Sequence, residues 1–180
     1  MFHNSVASVT DVCNQNVRVL AARAYLHRSG TSVSNALAFL EGRSKQIDKP
    51  WTMYMGIEQP KSWGSGGIGK YLDMYPPEKM PLPRIPADHL ERMHEAFRVL
   101  RNFNMLSFPM PADRVRRARS AYYARVTEAD AYLGAVLDSL EKSGRLENTF
   151  IVYTSDHGEM LGEHGLWHKN TLLEAGSRIP

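Results

Sequence analysis

Apolar residues recur at three- and four-residue steps in two stretches of the chain, and each predicts a helix with one buried face. In the first, Val33, Ala36, Leu37 and Leu40 follow Thr31 and Ser32, either of which suits an N-cap, so a helix is expected to about Arg43. In the second, Val115, Ala118, Tyr122, Val126, Ala129, Leu133, Val136 or Leu137, and Leu140 predict a longer helix from near Asp113 to near Gly144. Two other runs are apolar without a helical period. Trp51 to Ile57 follows the helix-stopping Lys49-Pro50, and Thr149 to Ser155 is rich in β-branched and aromatic residues. Both predict short buried strands. Residues 1–30 are weakly periodic; Val12, Val17, Val19, Leu20 and Tyr25 fit a short helix with undefined ends.

Helix, short turn and buried strand in succession predict an α/β fold. Between the two halves, residues 58–112 break the pattern. Gly64, Gly66, Gly67 and Gly69 are followed by Tyr75-Pro76-Pro77-Glu78-Lys79-Met80-Pro81-Leu82-Pro83, which predicts a long surface excursion rather than regular elements. At 180 residues and 43% hydrophobic content, the chain is long enough for one domain with a genuine core.

Charge alters this picture little. The 22 Lys and Arg against 19 Asp and Glu leave +3, and the one basic cluster, Arg114, Arg116, Arg117 and Arg119, reads as the solvated face of a helix rather than a nucleic-acid surface. A single cysteine, Cys13, excludes an internal disulfide framework and a cysteine-based zinc cluster. No run of about 18 apolar residues is present, so no spanning helix is expected. Residues 1–30 lack the order of a signal peptide, and the compartment stays open, a secreted or periplasmic parent included.

Candidate chemistry gathers in Thr154-Ser155-Asp156-His157-Gly158-Glu159-Met160-Leu161-Gly162-Glu163-His164-Gly165-Leu166-Trp167-His168-Lys169, which holds three of the seven histidines. Asp156 and His157 stand where a predicted strand gives out, the edge at which α/β sheets face their ligands. A carboxylate and an imidazole there make a partial donor set for a divalent cation. Gly158, Gly162 and Gly165 allow the loop to fold back and bring the Lys169 ammonium near the same place. An Asp-His-Gly triplet alone is more often a strand end entering a turn. His164 is equally suited to a role in the site or to a loop-stabilising hydrogen bond, His168 to a surface position, and Glu159 and Glu163 to solvated turns.

The whole string, with the apolar run before it, closely resembles the metal-and-lysine segment of the sulfatase family within the alkaline-phosphatase-like superfamily. Ala121-Tyr122-Tyr123-Ala124 through Asp130 and Leu133-Gly134 is similar to the family's helix before that strand. Lys49-Pro50-Trp51 into Met53-Tyr54-Met55 is similar to its earlier strand, and the Tyr75–Pro83 stretch to its substrate-side insertion. The resemblance covers roughly residues 31–180 and implies part of an alkaline-phosphatase-like sandwich, with a mainly parallel central sheet flanked by helices. It also implies metal-dependent cleavage of a small-molecule or carbohydrate sulfate ester. Asp156 and His157 would then be metal ligands, and Lys169, His164 and Lys61 would meet the substrate. The cation would be calcium first and manganese second, and the nucleophile a formylglycine made from a Cys or Ser.

Two departures qualify the resemblance. Where the family often carries Pro-His after the earlier strand, this chain has Pro60-Lys61, and lysine is a poor proton donor near neutral pH. No Cys/Ser-x-Pro/Ala-x-Arg motif occurs, since Cys13 is followed by Asn14-Gln15-Asn16-Val17, and the family's amino-terminal aspartate pair is missing. The expectation is therefore a fragment, inactive alone. Three readings stay open: part of a sulfuric ester hydrolase, part of a phosphoric or phosphonic ester hydrolase, or a non-catalytic remnant.

Overall fold

The computed structural model describes residues 12–14, 17–22, 29–61, 69–103 and 110–179. They divide into two compact units: Met1–Trp63 with Arg125–Phe150, and Gly64–Ala124 with Ile151–Pro180.

The first unit is built on a three-stranded sheet in the order β1 (Val12–Asn14), β2 (Val17–Ala22), β3 (Trp51–Met55). β1 runs antiparallel to β2, with Val12 opposite Val19, and β2 runs parallel to β3, with Arg18 opposite Trp51 and Ala22 opposite Met55. The short helix expected among residues 12–25 is thus replaced by strands over 12–14 and 17–22; Tyr25 lies outside the described residues. Pairing with β3, some thirty residues away in sequence, decides the matter, and no local periodicity reports such a partner.

Helix α1 (Ser29–Glu41) links β2 to β3, starting two residues before the expected cap. Its Val33, Ala36 and Leu40 pack with Val136 and Leu140 of the long helix in a buried cluster, each contributing the roughly 1.5–3 kcal/mol of a fully buried large aliphatic side chain, less for alanine. Trp51, Met53 and Met55 of β3 pack against that cluster, and Trp51 meets Phe39 edge-on at 5.2 Å. The alternate residue Tyr54 is 63% exposed. Among the described residues β3 is therefore half-buried and at a sheet edge, whereas the continuous apolar run suggested a strand covered on both faces.

The long helix, labelled α5 below, is Ala112–Lys142 and matches the periodicity closely. Gly144 ends it with φ +66°, a conformation open to glycine. Arg145 N–H then donates to Leu140 O at 3.0 Å and Gly144 N–H to Glu141 O at 2.8 Å, satisfying carbonyls that the helix leaves orphaned. The second expected strand is not formed: residues 149–155 lie in no strand, with Phe150 98% and Val152 79% exposed. Strand propensity reflects packing against neighbours, and no backbone among the described residues pairs with this run.

In the second unit the excursion carries more order than its Gly and Pro content suggests. It contains α2 (Gly69–Leu72), a 3-10 turn at Pro77–Lys79, α3 (His89–Arg92) and α4 (Glu95–Phe103). The first half of α5 (Ala112–Lys142) holds the Pro-rich stretch. Arg116 donates to the carbonyls of Glu78 and Met80, Ser120 Oγ donates to Tyr75 O, and the Tyr75 and Tyr123 rings stack at 5.7 Å. Proline-rich backbone lacks N–H donors, so its free carbonyls are natural acceptors for helix side chains. After the loop of residues 156–173 comes α6 (Glu174–Ser177).

Candidate functional site: a carboxylate, an imidazole and an ammonium on one loop

The loop from Asp156 to Lys169 folds back on itself through backbone hydrogen bonds. Met160 N–H donates to His168 O at 2.9 Å and Gly162 N–H to Leu166 O at 2.9 Å, bringing the two limbs together. Met160, Leu166 and Trp167 are buried beneath it and give the loop its own apolar floor. Gly162, with φ +89°, makes the turn. At Gly158 the reason for glycine is close approach: a Cβ would lie 2.8 Å from Arg178 O and closer still to Ala175 O, while Gly158 N–H donates to Gly176 O at 2.9 Å.

This fold-back unites three of the residues singled out from the sequence. Lys169 Nζ lies 2.7 Å from His157 Nε2, and His157 Nε2 lies 3.5 Å from Asp156 Oδ2. His157 Nδ1 is 2.7 Å from Gly158 O. A carbonyl only accepts, so Nδ1 carries the proton; Nε2 of the neutral ring then presents its lone pair, and Lys169 donates to it. The arrangement is internally consistent: backbone fixes the tautomer, and the tautomer leaves the outward nitrogen basic.

His164 and Lys61 are placed differently. His164 is exposed, has φ +56°, and sets its ring 5.0 Å from that of His89, with no hydrogen bond to the Asp156–His157–Lys169 cluster among the described residues. Lys61 belongs to the first unit, where it is exposed and its N–H closes a turn onto Glu58 O at 3.0 Å.

Three residues read as solvated are structural ties. Glu159 Oε1 accepts from His168 N–H at 2.7 Å and from Leu161 N–H at 3.4 Å, bracing the limb that bears Lys169. Arg119 is buried, and its guanidinium donates to Leu161 O and Pro81 O, each at 3.0 Å, and to Glu163 Oε1 at 2.7 Å. It thereby joins α5, the loop and the Pro-rich stretch. One signal for it lay in the sequence: Arg119 is four residues after Val115 and three before Tyr122, within the apolar stripe of the helix. Glu159 carried no such signal, because its partners are backbone amides two and nine residues away. Nearby, burial pushes the Tyr122 hydroxyl up to about 12, helped by the charge of Glu159 and by Tyr153 and Tyr123.

For a divalent cation this cluster offers two donors, the exposed Asp156 carboxylate and His157 Nε2, and no set of three or more His, Cys, Asp or Glu side chains gathers among the described residues. Calcium takes about 6–8 oxygen ligands, so this pair fits part of a site and does not fill one. Lys169 also occupies the Nε2 lone pair that a metal would use.

The family described as Sulfatase matches residues 4–180. The choline-sulfatase of Rhizobium meliloti (strain 1021) is 30% identical over 133 residues, 73% of this chain and 26% of that protein. An arylsulfatase of Clostridium perfringens (strain 13 / Type A) is 30% identical over 155 residues, 86% of this chain and 31% of that protein. Among solved structures, the phosphonate monoester hydrolase of Silicibacter pomeroyi superposes with a TM-score of 0.67 at 25% identity, over 83% of this chain and 32% of that one. The likeness is to alkaline-phosphatase-like folds, and this chain spans about a third or less of each of these proteins. With the family match running from residue 4 to the last residue, the chain belongs to the sulfatase family.

Proposed function

We propose that this segment supplies one side of a metal-dependent ester-hydrolysing site, and that the complete protein cleaves a sulfate ester of a small molecule or carbohydrate. The observation that carries the reading is the convergence of Lys169 Nζ, His157 Nε2 and the Asp156 carboxylate on one loop. In this account Asp156 and His157 hold a divalent cation, calcium before manganese, together with donors from elsewhere in the polypeptide. Bound there, a cation would supply charge neutralisation for the oxyanion and a hold on the nucleophile, expected to be a formylglycine. Lys169 releases Nε2 once that lone pair is engaged, and its ammonium then offers its N–H donors to the oxygens that gain charge in the transition state. His164 and Lys61 are assigned to the substrate side, Lys61 as an anion contact rather than an acid. We further assign residues 149–155 to a mainly parallel, helix-flanked sheet in the complete protein; the 180 residues alone are expected to be inactive.

The test is turnover of 4-nitrophenyl sulfate by the full-length protein. Asp156→Ala is expected to lose bound metal and activity together, and Lys169→Ala to retain metal and lose activity. Full turnover in either variant would defeat the assignment. A phosphonic ester substrate is the second reading, favoured by the likeness to the Silicibacter pomeroyi hydrolase; a preference for 4-nitrophenyl phenylphosphonate over the sulfate would establish it instead.

A further inference from the structure

Outside the Asp156–His157–Lys169 cluster, the second unit gathers a group of basic side chains of which the proposed hydrolysis uses only His164. The rings of His89 and His164 lie 5.0 Å apart at a 45° tilt. Arg101 Nε and Leu90, the neighbour of His89, lie 3.9 Å and 3.4 Å from where a Cβ on Gly165, beside His164 in the chain, would be. His89 Nε2 and Arg101 Nε are both buried and without a hydrogen-bond partner. No carboxylate among the described residues pairs with Arg101, and the acidic chain neighbours of the two histidines are engaged otherwise, Asp88 with Arg92 and Glu163 with Arg119.

A guanidinium N–H withdrawn from water with no acceptor is costly, and so is an imidazole nitrogen in the same state. One such nitrogen on His89, whose ring faces His164, and one on Arg101, beside Gly165, with no acid assigned to either, suit an anionic acceptor. Arg suits carboxylates and tetrahedral oxyanions alike, because its N–H donors are fixed in a fork that can meet two oxygens at once. Exposed His164 gives the cluster an open edge, and it stands on the loop that carries His157 and Lys169.

We propose that His89, Arg101 and His164 form an oxyanion subsite, one that takes a second sulfate or a carboxylate of a polyanionic substrate. The identity of that substrate rests on the hydrolysis proposed above; the anion binding itself does not. Doubly charged esters are then held at two points, while singly charged esters do not engage Arg101.

The experiment is a titration of the 180-residue chain with sodium sulfate, read by the ring resonances of His89 and His164. The shifts are expected to saturate, to persist in Lys169→Ala, and to weaken by about tenfold or more in Arg101→Leu, the range of a lost charge-assisted hydrogen bond. Arg101→Lys keeps the charge but not the fork and is expected to fall between. An absence of saturable shifts, or equal affinity in wild type and Arg101→Leu, overturns the proposal; unchanged spectra elsewhere in Arg101→Leu show that the variant is folded. In the full-length protein, Arg101→Leu should raise KM for a disulfated sugar and leave a monosulfated ester unaffected, whereas Lys169→Ala should abolish turnover of both. If neither ester is turned over, the proposed hydrolysis fails and the sulfate titration alone decides the subsite.

Discussion

Replacing Arg119 by alanine is the perturbation that separates a buried tie from a solvated helix face. The Arg119 side chain is 9% exposed and Glu163 41%. The guanidinium donates to two backbone carbonyls and one carboxylate, each within 3.0 Å. Hydrogen bonds to a charged group contribute about 1.5–3 kcal/mol each, but water entering the vacated space recovers part of that, so the net loss for Arg119→Ala is about 3–4 kcal/mol. Glu163→Ala removes only the half-exposed partner and leaves both carbonyl acceptors on Arg119, so about 1–2 kcal/mol is expected. Urea denaturation of the chain with a common m-value measures both, and hydrogen exchange at the Gly162 and Leu166 amides reports whether the loop loosens with the arginine. Losses below about 0.5 kcal/mol in both variants would return Arg119 to the solvated face that its charge suggests. A larger loss for Glu163→Ala than for Arg119→Ala would show that the ion pair dominates and the carbonyl ties do little.

Other consequences follow from single distances and burials. Leu40→Ala, at a side chain only 1% exposed in the first unit's core, should cost about 2–5 kcal/mol in the same denaturation assay. Gly158→Ala forces backbone against backbone at Ala175 and Arg178, and should lower the melting temperature and disturb His157 resonances together; a neutral result would mean that α6 sits further off. Because burial raises the Tyr122 hydroxyl to about 12, the folded state favours its neutral form, and that stabilisation is complete below about pH 10 and lost between about 10 and 12. Absorbance titration at alkaline pH should show one tyrosine ionising late in the wild type and absent in Tyr122→Phe.

Sequence alone revealed what depends on local period. α1 and α5 announce themselves by apolar spacing, and α5 ends where Gly144 allows a left-handed turn. β3 was readable as a strand, expected over Trp51 to Ile57 and formed over Trp51 to Met55, but not as one with a single covered face, since Tyr54 and Thr52 look no different in sequence from residues meeting a second layer. β1 and β2 were missed because their pairing is with each other and with residues 51–55, and a three-residue strand carries no period of its own. The run of residues 149–155 illustrates the converse: valine, isoleucine and tyrosine favour a strand only where a neighbouring backbone accepts them. Asp156, His157 and Lys169 could be chosen as chemically apt, and the glycines explain how the loop returns. The work of Glu159 and Glu163 was invisible, and Arg119 showed only its place in the apolar stripe of α5, since their partners are backbone groups or side chains separated by up to 44 residues.

The most direct measurement is the state of the His157 ring, read by long-range nitrogen–proton correlation in the 180-residue chain labelled with nitrogen-15 at histidine. With Nδ1 bonded to Gly158 O and Nε2 accepting from Lys169, the account predicts a proton on Nδ1, a bare Nε2, and an Nε2 resonance that moves in Lys169→Ala. A proton on Nε2, or a resonance indifferent to Lys169, would contradict the shared pocket.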